Sequence, residues 1–384
     1  MTDEYLAARL LSAGCRVDAA GYEDNTALHR AAERGSVELV RLLIDVAEAN
    51  MALTNAAGNT PLMVACENGN VDVVQCLLQR SPATGDCPHS ASLHCSNTDG
   101  KTCFHMAALS GEVELVDLLL QAGVPAYDVD SAGNTALVLS IWSRNFDFAS
   151  RLLQTVNSSG LSTAQRADYV NRQGELGRNA THWAALHGSV SLLDALSVAA
   201  DGRLDAEARD VAGDTPLLLA AKADRVGVLR WLVGRNCDVN ARGELGRTAL
   251  HWTVMAADRD AVERLLAVDG VAAAVLDEAD CTPLLLAAAN HRYAEMRTIL
   301  RSAAGDVDVD RRDGEGRTAL HWICKVNYVT YWAMVNNAGK TMSFAGMEIV
   351  VIEVTAKLRD VFDIHGVTVA SRSRSDNWRH VPYY

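Results

Sequence analysis

The chain has 384 residues, of which 49% are hydrophobic and 22% are charged, and its formal net charge is −13. This balance excludes a wholly disordered chain, because enough apolar surface is present to form a core. The acidic charge argues against general nucleic-acid binding, which requires a basic face for the phosphates. Aromatic residues make up only 5%, and the abundance of Ala and Leu favours short helices over strands.

Cysteine content and apolar runs indicate the compartment. Nine cysteines are present, with no CxxC pair, so we expect free thiols in a reducing environment. The first residues (MTDEYLAARLL) lack the pattern of a signal peptide, and the apolar stretch Met347–Val354 is interrupted by Glu348 and Glu353. We therefore expect a protein of the cytoplasm or the nucleus, without a membrane span.

The two ends of the chain differ from its middle, which consists of sequence repeats described below. Residues 1–24 are predicted to form a partial N-terminal repeat, because YLAARLL has the pattern of a second helix that lacks its first. Residues 326–384 share no phrase with the rest of the chain and form a divergent tail, to which we assign no function. We expect repeats over 25–325.

A short phrase recurs nine times along the chain and sets its organisation. Its copies include NTALHRAA, NTPLMVAC, DTPLLLAA and RTALHWTV, and they start near residues 25, 59, 101, 134, 178, 214, 247, 281 and 317. The unit is therefore about 33 residues long. Insertions are predicted within 79–97 and 154–173, and the second is predicted to hold a short helix near Ser162–Tyr169.

The phrase predicts a helix that begins at a threonine. A threonine hydroxyl can accept a hydrogen bond at the start of a helix, and a proline fits the first helical position because no backbone N–H is needed there. Three copies carry both residues, as Thr60 with Pro61, Thr215 with Pro216, and Thr282 with Pro283. A second apolar helix follows each phrase, as in VELVRLLI, and buries its face only against a neighbouring unit.

These features resemble the ankyrin repeat, whose T-P-L-H-x-A-A phrase is nearly intact here over roughly residues 3–325. The resemblance implies an all-α solenoid of about nine helix–turn–helix repeats, joined by β-turn finger loops such as CDVNARGELG. It also implies that the chain binds another protein. We expect a scaffold or adaptor that uses the concave groove and the finger loops, without enzymatic activity and without a cofactor.

The fourth letter of the phrase alternates between histidine and an apolar residue. Odd-numbered copies carry His29, His105, His182, His251 and His321. The alternation indicates either duplication of a repeat pair or a preference for unlike neighbours. The resemblance implies a structural role, in which each histidine hydrogen-bonds adjacent finger loops. A shared metal site is not expected, because the histidines are a repeat pair apart and zinc ligands lie about 2 Å from the ion.

Three odd repeats also carry an arginine before the phrase and a tryptophan after the histidine. These residues are Arg178 with Trp183, Arg247 with Trp252, and Arg317 with Trp322. Tryptophan and arginine frequently anchor protein interfaces, so the set is predicted to contact a partner, together with Glu244 and Leu245 of one finger loop. The alternative is that each tryptophan packs on the finger of the neighbouring repeat.

Other motifs give little indication of chemistry. Cys87, His89, His94 and Cys95 cluster in the first insertion, but their spacing matches no common zinc knuckle, so no metal site is predicted. Gly314–Ala319 spells G-x-G-x-x-A but lacks the strand that a dinucleotide fingerprint requires.

Residues 213–300 are similar to the ankyrin domains of Notch receptors and of inversin-type scaffolds. Two further functions therefore stay open: a transcriptional co-regulator of the Notch or inhibitor-of-NF-κB type, and a non-catalytic regulatory part of an ankyrin-bearing enzyme. We expect a monomer unless the incomplete ends pair.

Overall fold

The computed structural model describes residues 3–80, 93–158, 160–302 and 307–323. The predicted tail at 326–384, most of the first insertion, and Cys87 and His89 lie outside these residues. Within them the regular structure is helical and contains no strand, which confirms the predicted all-α class. The helices are α1 (Asp3–Ser12), α2 (Ala27–Arg34), α3 (Val37–Asp45), α4 (Pro61–Glu67), α5 (Val71–Arg80), α6 (Cys103–Ser110), α7 (Glu114–Gln121), α8 (Ala136–Trp142), α9 (Phe146–Ser158), α10 (Thr163–Asn171), α11 (Ala180–His187), α12 (Val190–Ala199), α13 (Pro216–Lys222), α14 (Val226–Val233), α15 (Ala249–Ala256), α16 (Arg259–Leu266), α17 (Pro283–Ala289) and α18 (Tyr293–Ser302).

The helices form two layers, each running from repeat to repeat. The first helices of successive repeats (α2, α4, α6, α8, α11, α13, α15 and α17) pack on one another, and so do the second helices (α3, α5, α7, α9, α12, α14, α16 and α18). Each apolar face is therefore buried by its neighbours along the array, as a solenoid requires. The predicted short helix of the second insertion is present as α10, which packs on α11 and α12.

The first helices begin as their sequence predicts. The hydroxyl of Thr60 accepts a hydrogen bond from the backbone N–H of Met63 at 3.3 Å. Equivalent bonds join Thr215 to Leu218 and Thr282 to Leu285. In each case a proline follows the threonine in the first turn. One orphan N–H of the helix is thereby satisfied, and the start of the helix is fixed.

Odd repeats are tied to the following even repeat at the ends of their first helices. The side-chain amide of Asn145 donates to the carbonyls of Ala108 and Leu109 at 2.8 and 3.0 Å. Asn70 does the same for the end of α2. Arginines replace the asparagine in later pairs, and they donate to the carbonyls of Leu186 and Met255.

The second helices add a further bond in the same direction. Arg80 of α5 pairs with Asp45 of α3 through two contacts of 2.6 Å. Arg151 of α9 pairs with Asp117 of α7 in the same way. These bonds lie within the pairs formed by repeats 1 and 2 and by repeats 3 and 4. Both insertions lie between pairs, so the chain lengthens without interrupting these contacts.

Replacement of Asn145 tests the contribution of the helix-end bonds. We expect Asn145→Ala to lower the free energy of unfolding by about 1–2 kcal/mol, because two partly buried carbonyls lose their donor. The Asn145 side chain packs directly against Gly111, since a Cβ at Gly111 would lie 2.5 Å from Cγ of Asn145. Urea denaturation measures the change. Asn157→Ala, at an exposed position of α9, is the control and should change stability by less than about 0.5 kcal/mol.

Candidate interaction site on the fingers and first helices

The finger loops are tight turns whose first acidic or amide residue is used internally. In the finger 210–214, the carboxylate of Asp210 accepts the backbone N–H groups of Ala212 and Asp214, both at 2.9 Å. The same arrangement occurs at Asp130 and Asp277. These side chains are buried. Their charge is therefore used to hold the turn, and it is not offered to a partner.

Neighbouring finger tips are joined by backbone bonds or, between fingers 4 and 5 and fingers 6 and 7, by a side chain that accepts a backbone N–H. The N–H of Val211 donates to the carbonyl of Leu176 at 2.9 Å, and the N–H of Glu278 donates to the carbonyl of Leu245 at the same distance. An isolated loop would be free to move, whereas these bonds make the row of fingers a continuous surface. That surface and the adjoining first helices are called the finger–helix face below.

The three arginine–tryptophan pairs are assembled within the molecule. The guanidinium of Arg178 lies 5.0 Å from the ring centre of Trp183, and its Nε donates to Asp210 of the next finger at 3.0 Å. Arg247 repeats this arrangement, with Trp252 at 5.0 Å and Asp277 at 3.1 Å. Each arginine is thus held by a cation–π contact and a charge-assisted hydrogen bond.

The third pair differs in one respect. Arg317 lies 4.0 Å from the centre of Trp322, and its Nε donates to Asp313 of its own finger at 2.9 Å. The indole N–H of Trp322 donates to the same carboxylate at 2.9 Å. Burial raises the pKa of Asp313, but the backbone N–H groups of Arg317 and Glu315 and these side-chain bonds outweigh it and lower the pKa to about 2.

The exposure of the predicted contact residues is uneven. Trp183 is only 8% exposed, while Trp252, Trp322 and the three arginines are half-buried. Leu245 is 46% exposed and Glu244 is also exposed. Trp183 is therefore largely buried within the array, whereas Leu245 and Glu244 at the finger tip are accessible.

Four of the five histidines bridge consecutive repeats. The Nε2–H of His29 donates to the carbonyl of Asn59 at 2.9 Å, while its Nδ1 accepts the N–H and the hydroxyl of Thr26. The same bonds recur at His105 and His251. At His182, Nδ1 accepts the N–H of Asn179 at 3.2 Å and lies 2.7 Å from its side-chain Oδ1, while Nε2 donates to the carbonyl of Asp214 at 3.2 Å. At His321 only the Nδ1 contact, with Thr318 at 2.7 Å, lies within the described residues, and the ring is exposed.

The geometry requires these four rings to be neutral. Nδ1 accepts a hydrogen bond from the backbone, so the proton must be on Nε2. Burial lowers the pKa of all four, although the bond to the next finger acts in the opposite direction. For His251 the pKa falls to about 4. The histidines are therefore uncharged structural links at neutral pH.

Sequence reasoning missed a cluster centred on Lys222. Its ammonium lies 4.6 Å from the ring centre of Trp252, on a ring that Arg247 also contacts. It also pairs with Asp214 and, at 2.7 Å, with Glu244. The lysine directly follows the phrase DTPLLLAA, at the end of a first helix. Neither composition nor spacing distinguishes a lysine at that position from an ordinary surface lysine.

A pocket of about 600 Å³ opens on the finger–helix face at repeats 3 to 5. Fingers 3, 4 and 5 form one wall, and the helices α6, α8 and α11 form the other. Trp142, which is 51% exposed, and Trp183 contribute aromatic surface, while Asp99 and Glu175 contribute carboxylates. Trp142 was not among the predicted contacts because its repeat carries no histidine–tryptophan pair.

Comparison with known proteins agrees with this architecture. A family model described as ankyrin repeats in three copies matches residues 3–88, 84–160 and 158–243, more than half of the chain. The chain belongs to the ankyrin-repeat family. Ankyrin repeats indicate protein–protein interaction.

Similar curated proteins carry ankyrin repeats in different contexts. The NF-kappa-B inhibitor cactus of Drosophila melanogaster is 31% identical over 213 residues, which cover 55% of this chain and 38% of cactus. Human neurogenic locus notch homolog protein 1 is 33% identical over 171 residues, 44% of this chain and 6% of that protein. The E3 ubiquitin-protein ligase KEG of Arabidopsis thaliana is 25% identical over 321 residues, 79% of this chain and 18% of KEG. The chain thus spans well under half the length of these relatives.

Two further observations concern only the described ranges. No helix there is both long enough and apolar enough to cross a bilayer. Nor does that part of the chain bring together three or more His, Cys, Asp or Glu side chains in an arrangement that holds a metal ion.

Proposed function

We propose that this ankyrin-repeat chain is a scaffold or adaptor that binds a partner protein through the finger–helix face. The observation that carries the proposal is a row of exposed apolar side chains on three consecutive finger tips. Leu176 and Leu245 are each 46% exposed and Val211 is 76% exposed. A backbone bond joins the fingers of Leu176 and Val211. Side chains join the fingers of Val211 and Leu245, because Arg209 donates to the carbonyl of Arg242 and Asp214 accepts the N–H of Glu244.

The conformation of the two leucines supports a role outside the fold. Both have a positive φ, 60° at Leu176 and 58° at Leu245, a region that large side chains avoid at a cost of roughly 1–2 kcal/mol. Glycine or asparagine would relieve this cost. Because the leucine side chains are half in solvent, internal packing offsets little of it. A contact between these leucines and a partner protein would explain why leucine occupies both tips.

The half-buried members of the arginine–tryptophan set belong to the same proposed surface. Trp252 and Trp322 adjoin the fingers and retain exposed ring surface, and Glu244 lies beside Leu245 at the tip of its finger. Trp183 contributes through the pocket wall. A monomer would present all of these residues on one face.

Substitution of the tips tests the proposal. We expect Leu176→Ser/Val211→Ser/Leu245→Ser to reduce recovery of the partner at least about tenfold in quantitative affinity purification from source cells. Its melting temperature should not fall, because little buried area is lost. The control is Val46→Ser/Val198→Ser, which changes exposed valines at the ends of the second helices α3 and α12. Unchanged recovery with the triple variant, or an equal loss with the control, contradicts the proposal.

A second candidate is a transcriptional co-regulator that holds a transcription factor. The similarity to the NF-kappa-B inhibitor cactus over 55% of the chain favours it. This function places the protein in the cytoplasm or the nucleus. Accumulation in the nucleus and factor-dependent occupancy of promoters distinguish it from a cytoplasmic scaffold.

A third candidate is the regulatory part of a longer ankyrin-bearing enzyme. The similarity to the ubiquitin ligase KEG extends over 79% of this chain but only 18% of KEG. A longer transcript that joins these repeats to a catalytic domain would establish it. In this third candidate the repeats act by binding, and a separate catalytic domain carries out the reaction.

A further inference from the structure

Two positions on the finger–helix face are equivalent in the repeat register but differ in how they are filled. Lys222 ends α13 seven residues after Thr215, and Trp142 ends α8 seven residues after Thr135. The following fingers are both GELGR, so Glu175 matches Glu244. Each finger is followed by a tryptophan five residues after its arginine. The boundary between repeats 4 and 5 is therefore built like the boundary between repeats 6 and 7.

At repeats 6 and 7 the chain fills this position with its own cation. The ammonium of Lys222 lies on the ring of Trp252, 4.6 Å from its centre, and pairs with Glu244 at 2.7 Å. The hydrogen bond and charge of Lys222 lower the pKa of Glu244. This arrangement shows which chemistry fits a tryptophan and a finger glutamate in this geometry. It is a cation that combines a π contact with an ion pair.

At repeats 4 and 5 the lysine is absent and the 600 Å³ pocket lies in its place. Trp142 replaces the lysine and adds an aromatic wall that is 51% exposed. The finger backbone is unchanged, because Asn134 accepts the N–H of Glu175 at 2.8 Å, as Asp214 accepts the N–H of Glu244 at 3.0 Å. The pocket is therefore the same site without its internal cation.

The charges that line the pocket are not balanced from within. Lys101 pairs with Asp99 at 3.3 Å, and Arg178 is held by Asp210. Within the ranges that the structure describes, Glu175 has no ion pair. Asp130 also lines the pocket, but its carboxylate is buried and accepts two N–H groups of its own finger. Among the described residues, Glu175 is thus the exposed carboxylate without an ion pair that stands beside two tryptophans at the edge of the pocket.

We propose that this pocket receives a lysine or arginine side chain of the partner protein. The charged group lies against Trp142 and Trp183 next to Glu175, as Lys222 lies against Trp252 next to Glu244. The aliphatic stem contacts Leu139 and Val138, which line the same pocket. This inference rests on the proposed protein-binding function and assigns it the chemistry of one anchoring residue.

Fluorine NMR of the full chain labelled with 5-fluorotryptophan tests the site directly. The seven tryptophan signals are assigned with single Trp→Phe variants. The probes are the N-acetyl methylamides of lysine, arginine and citrulline, the last being an uncharged analogue of arginine. The signals of Trp142 and Trp183 should shift saturably with lysine or arginine, with a dissociation constant on the order of 10 mM, and the stronger response identifies the residue. Citrulline should give no such shift, and Trp252 should not respond.

Two variants test the equivalence between the pocket at repeats 4 and 5 and the Lys222 site at repeats 6 and 7. Trp142→Lys restores the lysine found at the equivalent position, so the signal of Trp183 should no longer respond to the probes. Glu175→Gln should weaken probe binding about fivefold while the fold is retained. Equal shifts with citrulline, an equal response of Trp252, or no shift with either cation would overturn the assignment.

Partner recovery separates this inference from the proposed function. If the pocket anchors the partner, Trp142→Lys should reduce recovery in affinity purification, as the finger-tip variant does. Recovery that depends on the finger tips but not on Trp142 overturns the pocket inference and leaves the scaffold function intact. Recovery that depends on neither overturns the proposed function itself.

Discussion

Lowering the pH from 7 to 5 is expected to reduce the free energy of unfolding by at least about 2 kcal/mol. The pKa of His251 is about 4 in the folded chain, against 6.5 for an unperturbed histidine. Unfolded chains therefore bind more protons than folded chains between these two values. Stability is complete above pH 6.5 and is lost as the pH falls towards 4, because protonation removes the acceptor at Nδ1 and places a charge in a buried site.

Four more histidines act in the same direction. Burial also lowers the pKa of His29, His105, His182 and His187, so the total effect exceeds that of one residue. Urea denaturation followed by circular dichroism at pH 7, 6 and 5 measures it. The window above pH 5 lies above the ordinary range of carboxylates, so the histidines dominate the change measured in it.

A matched pair of variants assigns the acid sensitivity. Leucine occupies the position of His251 in two even repeats, at Leu218 and Leu285. His251→Leu should therefore lower stability at pH 7 and also reduce the loss between pH 7 and 5. His321→Gln, at an exposed ring, should leave the pH dependence unchanged. A pH dependence that is equal in the wild-type chain and in His251→Leu contradicts the assignment.

Gly243→Ala is expected to lower the free energy of unfolding by about 3 kcal/mol. A Cβ at this position would lie 2.1 Å from Oδ1 of Asp214 and 2.6 Å from Cδ1 of Leu218. The same carboxylate oxygen accepts the N–H of Glu244 at 3.0 Å. The methyl group must therefore displace a buried carboxylate that connects two fingers and pairs with Lys222.

The expected loss at Gly243 comes from the close approach of Asp214. Gly174 has the same requirement towards Asn134, at 2.2 Å, and Gly174→Ala should behave similarly. Gly160→Ala is the control, because a Cβ at Gly160 meets no atom within 4 Å. Equal urea midpoints for Gly243→Ala and Gly160→Ala would refute the argument.

The contacts between odd and even repeats could be predicted only in part from the sequence pattern. The sequence shows histidine in every second copy of the phrase, and the resemblance to ankyrin repeats supplies its hydrogen-bonding role. The asparagines and arginines that join the same pairs, such as Asn145 and Arg225, could not be recognised in advance. Their partners are carbonyl groups of another repeat, and a carbonyl leaves no trace in the sequence.

For the tryptophans, the sequence pattern was visible but did not reveal whether the residues are exposed. Arginine and tryptophan at fixed spacing indicated an interface, yet the same residues also suit packing between repeats. The structure shows that Arg178 is held by Trp183 and Asp210, while Trp142, in a repeat without that pattern, is 51% exposed. Exposure depends on what the neighbouring repeat presents, so it could not be predicted from one repeat at a time.

The sequence by itself determined the repeat, the helices and their starting residues. These depend on local chemistry, on the recurrence of one phrase, and on apolar faces that only stacking can bury. Tertiary structure alone decided which equivalent position is filled by Lys222 and which is open beside Trp142. That distinction depends on distances between side chains of neighbouring repeats, where a cation, a ring and a carboxylate must meet within a few ångströms.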